Sequence, residues 1–135
     1  MKKNVIIIDA AETSLGRIAS YAAKQSLLGK EVKIVNCKNA IITGKRKSIV
    51  SEYKIARARG GSIRKGPHFP KSPERIMKRT VRGMLSYKQG RGRDAMYRVK
   101  CYNAIPEEFA DQDKIQMKRP IKSSVLKLEE LSKVI

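Results

Sequence analysis

The sequence predicts an α/β fold, and three observations carry that reading. Val5, Ile6, Ile7 and Ile8 form a short, all-apolar, β-branched run. Such a run reads as a strand covered on both faces, as in a parallel sheet. Leu15, Ile18, Ala19, Ala22, Ala23 and Leu27 then fall on one stripe at helical spacing. Val32, Ile34 and Val35 mark a second strand over roughly residues 31–36. Strand, helix, strand in that order is a βαβ unit with a right-handed crossover.

Each element has its own local signals. Asp9 ends the first strand, where α/β sites often gather, and the favoured reading is that it pairs with Arg17 or caps the turn that follows. Thr13 or Ser14 supplies the helix cap, and Gly29 is a helix terminator. Residues 40–44 are another short apolar run, leading into a second helix near Lys45 to Arg59. Ile49, Val50, Tyr53 and Ala56 form its inward stripe, and Lys45, Arg46, Lys47, Lys54, Arg57 and Arg59 lie largely off it. Residues 60–72, with three glycines and two prolines, make no regular element. A loop of that length inside a small domain is uncommon and is usually functional or disordered.

Ser72-Pro73-Glu74 is a strong helix start: a serine cap, proline at the first helical position and an acid in the first turn. That helix is expected to reach about Leu85, with Ile76, Met77, Thr80, Val81 and Met84 facing inward. Arg75, Lys78, Arg79 and Arg82 lie away from that face. Residues 86–93 read as a basic, flexible loop, followed by a helical turn near 94–97. Val99 and Cys101 mark a last core strand that ends before Pro106. Residues 107–120 read as polar and irregular. Ser123 or Ser124 opens a terminal amphipathic segment holding Val125, Leu126, Leu128, Leu131 and Val134. The chain shows no internal repeat and no low-complexity tract.

The 135 residues are expected to form one domain, residues 1–135, large enough to bury a real core. Its charge is concentrated. Residues 1–43 carry 7 basic and 3 acidic side chains, residues 44–100 carry 18 and 3, and residues 101–135 carry 6 and 6. The segment 44–100 thus holds +15 of the net +19, and 10 of its basic residues are arginines. Arginine is the better bidentate phosphate ligand, and solubility alone does not favour it over lysine. The charge points to nucleic acid, with a membrane surface as the next candidate. No apolar run approaches the roughly 20 residues needed to span a bilayer. The start of the chain is too short in apolar residues for a signal peptide, so a cytosolic protein is expected. Cys37 and Cys101 have no metal or redox spacing and read as partly buried free thiols.

Catalytic parts are missing from the pattern. The chain has no Walker-type phosphate loop and no dinucleotide glycine fingerprint. Gly60-Gly61 follows a helix rather than a strand. His68 is the single histidine, and no carboxylate or nucleophile lies near it in sequence. It either contacts RNA, by stacking or through phosphate, or packs within its loop. The five tyrosines and two phenylalanines show no paired stacking motif of the RNA-recognition type. No cofactor, metal or small-molecule substrate is expected.

Several blocks resemble one family. Residues 9–18, then Gly29-Lys30, Val35-Asn36 and Ile42-Thr43-Gly44, are similar to the N-terminal half of the universal large-subunit ribosomal protein L-thirteen family. Gly66-Pro67-His68-Phe69, Pro73, the run from Arg79 to Leu85, and Arg91-Gly92 resemble its basic core. Val99 to Tyr102 and Pro106 fit its strand and exit. The His-Phe block and the Val-Arg-Gly-Met-Leu run look more like the archaeal and eukaryotic branch. Ser86 departs from the family's usual proline, and Asn103-Ala104 from its usual tyrosine-x-glycine. The resemblance covers about residues 5–106.

The resemblance implies a three-layer α/β/α fold with a central parallel four-stranded sheet ordered 3-2-1-4. It implies a structural, non-enzymatic constituent of the large ribosomal subunit that binds its ribosomal RNA and supports assembly. Neighbouring large-subunit ribosomal proteins are then expected partners, with no membrane. The RNA-facing segment is 44–100, with basic loop extensions, and 107–135 is a C-terminal tail. Within that segment the candidate RNA-binding residues are Lys45, Arg46, Lys47, Arg57, Arg59, Arg64, Lys65, His68, Lys71, Arg75, Lys78, Arg79, Arg82, Lys88, Arg91 and Arg93. A free translational regulator using the same surface on messenger RNA, or an enzyme of nucleotide or RNA metabolism, are the competing readings.

Overall fold

β1 (Val5–Asp9) and β2 (Glu31–Val35) pair in parallel along their whole length, from Val5 opposite Glu31 to Asp9 opposite Val35. Parallel neighbours need a crossover, and α1 (Leu15–Leu27) provides it. The computed structural model describes residues 4–58, 70–117 and 124–135. Gly29 ends α1 at φ +94°, a conformation that costs glycine little. Lys30 N–H then reaches back to the Gln25 carbonyl at 3.2 Å, the Schellman way of closing a helix. At the other end Ser14 holds the cap position without a side-chain bond, while the Thr13 hydroxyl donates to the Ala11 carbonyl. Asp9 caps the turn: its Oδ1 accepts the Ala11 N–H at 3.0 Å.

β4 (Val99–Cys101) joins the far side of β2, with Val32 opposite Val99 and Ile34 opposite Cys101. β5 (Ile115–Gln116) joins the far side of β1, with Ile8 opposite Ile115. All pairings are parallel, and the order is β4-β2-β1-β5. This differs in detail from 3-2-1-4, because the third strand in the chain leaves the sheet. β3 (Ile41–Thr43) pairs antiparallel with β6 (Val125–Lys127) in a separate two-stranded ribbon. The cause lies at Asn36, whose left-handed backbone (φ 62°) turns the chain out of β2 into a 3-10 turn, Cys37–Asn39.

The remaining helices are α2 (Arg46–Ala58), α3 (Pro73–Gly83), α4 (Gly90–Arg98) and α5 (Leu128–Val134). Ile8, Val32, Ile34 and Val99 of the sheet share one core with α1, with Ile76, Met77 and Val81 of α3, with Ala95 of α4, and with Leu128 and Leu131 of α5. The other face of the sheet carries a smaller cluster of Ile7, Val35 and Phe109, with Tyr102 against it. Phe109 belongs to a 3-10 turn, Glu107–Phe109, and its ring lies 5.6 Å from that of Tyr102. Among the described residues that layer is thin. Ile7 and Ile8 are both buried, whereas Val5 is exposed.

Several expectations are corrected. α3 stops at Gly83, and its chain tightens into 3-10-type bonds, Met84 N–H to the Val81 carbonyl and Leu85 N–H to the Arg82 carbonyl. Met77, Val81 and Leu85 stand four residues apart and share one helical face. Leu85 therefore takes the inward position, and Met84 is 46% exposed. Leu27 is likewise exposed, and Ser26 takes the buried position in the last turn of α1. Residues 90–93 are not loop but the first turn of α4. Residues 107–120 contain the 3-10 turn and β5. The terminal segment splits into a strand and a helix. In α2 only Ile49 is buried, with Val50, Tyr53 and Ala56 half-buried, so this helix rides at the surface.

Candidate nucleic-acid interface

α3 separates core from charge around its axis. Pro73, Ile76, Met77 and Val81 are buried, Arg75 and Arg82 are exposed, and Lys78 and Arg79 are half-buried. The helix is 11 residues long, so its basic side spans about 16 Å. It starts beside the end of β4, where Glu74 N–H donates to Asn103 Oδ1 at 2.9 Å. It ends at the turn that leads into α4. Lys71 flanks the start and Lys88, Arg91 and Arg93 flank the finish, all exposed.

α2 brings a second set: Lys45, Arg46 and Lys47 at its start and Arg57 in its last turn, all exposed. The first turns of α2 and α4 hold no acidic residue, yet both carry arginine. Cations at a helix N-terminus oppose the helix dipole and cost local stability. A bound anion at either end would offset that cost. α2 and α3 also face each other across a cleft of about 350 Å³ lined by Glu52, Tyr53, Ala56, Pro70, Ile76, Arg79 and Thr80. Burial, reinforced by Glu52, pushes the Tyr53 phenol above its ordinary range.

Some basic residues of the segment also make contacts within the chain. Arg57 Nη1 donates to the backbone oxygen of Ile135 at 2.6 Å, which ties α2 to α5. Arg98 Nη1 donates to the Ser26 carbonyl at 2.9 Å and tethers α4 to α1. The Arg82 guanidinium stacks over the Tyr87 ring, 4.2 Å from its centroid. Of the candidates named from the sequence, Arg59, Arg64, Lys65 and His68 lie outside the described residues, as does the Gly66–Phe69 block. The others fall into two groups, one along α2 and one running from Lys71 down α3 to α4.

Two lysines were missed by sequence reasoning. Lys33 of β2 and Lys100 of β4 are register partners, so like charges sit side by side on the sheet face away from α1 and α3. Like charges opposite one another destabilise a sheet, and an anion over them would relieve the repulsion. The signal was the alternation Val32, Lys33, Ile34, which turns Lys33 outward.

Other chemistry is sparse. Cys37 is buried beside Cys101; the contact between the two sulfurs, together with desolvation, pushes the Cys37 thiol far above its ordinary value. Among the described residues no group of three or more His, Cys, Asp or Glu is placed to hold a metal ion. No described helix is long and apolar enough to cross a membrane.

Comparison with known proteins finds matches over most of the chain. Residues 3–108 match the family described as Ribosomal protein L13. The chain is 52% identical over 110 residues to a protein of Methanosarcina barkeri named Large ribosomal subunit protein uL13, covering 81% of this chain and 78% of that one. It is 49% identical over 107 residues to the protein of that name from Methanococcoides burtonii, covering 79% and 76%. The Thermoplasma volcanium protein of the same name is 44% identical over 131 residues, 94% of this chain and 95% of that one.

Proposed function

Because the chain belongs to the Ribosomal protein L13 family, we propose that it acts in the large ribosomal subunit as a structural protein that binds large-subunit ribosomal RNA and supports subunit assembly. One observation carries the RNA contact: α3 buries one side in the core and turns arginine and lysine outward along the other. The mechanism is charge neutralisation. Folding RNA brings phosphates close together, and lysine and arginine at Arg75, Lys78, Arg79, Arg82, Lys88, Arg91 and Arg93 screen them. Lys45, Arg46, Lys47, Arg57 and Lys71 extend the same surface, and Arg59, Arg64, Lys65 and His68 belong to the same proposal. Phosphate contacts fix position and register but carry no sequence information. Discrimination then comes from the shape of the folded RNA. The relatives are named as large-subunit proteins and not as enzymes, and the same role is read here. Its place is on cytoplasmic ribosomes, beside other proteins of the large subunit.

The test is binding of the full chain to large-subunit ribosomal RNA at several salt concentrations, beside co-sedimentation with large subunits through a high-salt wash. With about 6–10 phosphate contacts, affinity should fall by roughly 10³–10⁵ between 50 and 200 mM salt on a duplex-like lattice. Arg75→Gln with Lys78→Gln should lower the slope by roughly 1.4–1.8 while leaving thermal unfolding nearly unchanged. A flat salt response, or loss from subunits in the wash, would overturn the reading.

A further inference from the structure

We propose that Arg82 and Tyr87 together form a stacking platform for one unpaired base of RNA. The proposal rests on the RNA-binding reading above and names what one part of that surface recognises.

Three features build the platform. The Arg82 guanidinium carbon lies over the Tyr87 ring, 4.2 Å from its centroid, so the ring covers one side of the guanidinium. Both residues are exposed, Tyr87 at 36%. The second face of a guanidinium is planar, charged and weakly hydrated, and it stacks readily on another π-system. In folded RNA the exposed π-systems are the unstacked bases of loops and bulges, which are bound on aromatic rings and arginine planes.

The platform is held in place before anything binds. Leu85 is buried and anchors the turn below it. Tyr87 N–H donates to the Leu85 carbonyl at 2.9 Å, and Gln89 N–H to the Ser86 carbonyl at 2.9 Å. Gly92 of α4 presses against this turn so closely that a Cβ there would meet the Ser86 carbonyl oxygen at 2.0 Å. A fixed turn means that little order is lost when a base arrives. Lys88, next in the chain, offers an exposed ammonium for a phosphate of the same strand. The ligand is therefore an unpaired nucleobase of any identity, since every base has a π-face. Paired bases inside an A-form helix are already stacked and are not taken.

The experiment compares the full chain with three variants on two RNA probes: a hairpin with an adenine loop carrying 2-aminopurine, and a blunt duplex with the same number of phosphates. R82K keeps the charge and removes the plane. Y87L removes the ring, and Y87F keeps it. On the hairpin, R82K and Y87L should bind roughly 5- to 140-fold more weakly, the range that loss of one stacked base implies. On the duplex both should stay within about twofold of wild type, since the charge count holds or nearly holds. Y87F should match wild type on both probes. The loop fluorophore should be quenched by wild type and Y87F only. R82K binding the hairpin as tightly as wild type overturns the platform, and so does an equal loss on both probes. Steep, salt-dependent binding of the duplex keeps the wider RNA reading whatever the hairpin shows. Failure of wild type to bind either probe removes that reading and this proposal with it.

Discussion

Asn103 caps the start of α3 from 29 residues beyond Glu74: its side-chain oxygen accepts the Glu74 N–H at 2.9 Å. Ser72 occupies the cap position, but its hydroxyl makes no bond to the helix backbone and faces Glu74 Oε1 at 3.5 Å. The cap for α3 is thus supplied from the end of β4. Asn103→Ala leaves a first-turn N–H without its acceptor and should cost about 0.5–2 kcal/mol. Asn103→Asp keeps an acceptor and should cost less. Urea unfolding of both variants checks this, and equal losses would show that the bond does not hold the helix.

The two methionines of the α3 region should behave oppositely. Met77 is fully buried, and Met77→Ala should cost about 2–5 kcal/mol. Met84 is 46% exposed, and Met84→Ala should stay within about 0.5 kcal/mol of wild type. Thermal unfolding of the pair is the measurement. Similar losses for both would contradict the outward position of Met84 beside buried Val81 and Leu85.

Gly92 and Gly90 stand two residues apart in α4 with opposite surroundings. A Cβ on Gly92 would lie 2.0 Å from the Ser86 carbonyl oxygen and 2.9 Å from the Tyr87 nitrogen, both backbone. Gly92→Ala must push the turn away and should cost about 1–3 kcal/mol or more. Nothing lies within 4 Å of a Cβ on Gly90. Gly90→Ala should be neutral or stabilise by up to about 1 kcal/mol. Chemical denaturation of the two variants separates the cases, and a harmless Gly92→Ala would refute the close approach.

Stability should fall in alkali because of Cys37. In the folded chain the neighbouring Cys101 sulfur and burial hold this thiol protonated well beyond its ordinary value of 9.0. Below that value both states carry the proton and nothing changes. Above it the unfolded chain releases the proton and the folded chain does not, so the unfolded state gains as pH rises. Unfolding free energy should therefore drop between about pH 8.5 and 9.5, ahead of most lysine and tyrosine titration. Cys37→Ala should flatten that part of the profile, and an unchanged slope would place its origin elsewhere.

The parts of the fold legible in the sequence were those whose signal is local. The βαβ start shows in the apolar run of β1, the stripe of α1 and the glycine at position 29, and Ser72-Pro73-Glu74 marks the start of α3. β5 was not legible, because two exposed residues have no periodicity and exist as a strand only through pairing with Ile8 and Asp9. The start of α4 was missed because Gly90-Arg91-Gly92-Arg93 has poor helix propensity. Packing of Gly92 against the preceding turn outweighs that local preference. For the interface, charge and helix spacing placed the residues of α3. The Arg82–Tyr87 stack spans the end of a helix, where the 3.6-residue period no longer says which side chains meet. Lys33 and Lys100 belong to different strands, and only the register joins them.

The late arrival of β5 shapes how the chain is made. β1 and β2 with α1 between them are complete by Val35, yet among the described residues the other edge of β1 is covered by Ile115 and Gln116 alone, the side chain of Gln116 coming to 3.4 Å from Asp9 Oδ2 across 107 positions. Synthesis runs at about 5–20 residues per second, so the intervening stretch of about 80 residues takes roughly 4–16 s. For that time the growing chain presents an open strand edge of the kind that templates pairing with other chains. Among the described residues a two-residue strand closes it. The nascent polypeptide is therefore most vulnerable to misassociation before residue 115 emerges. Chaperone engagement or fast docking on an acidic partner would matter most within that interval.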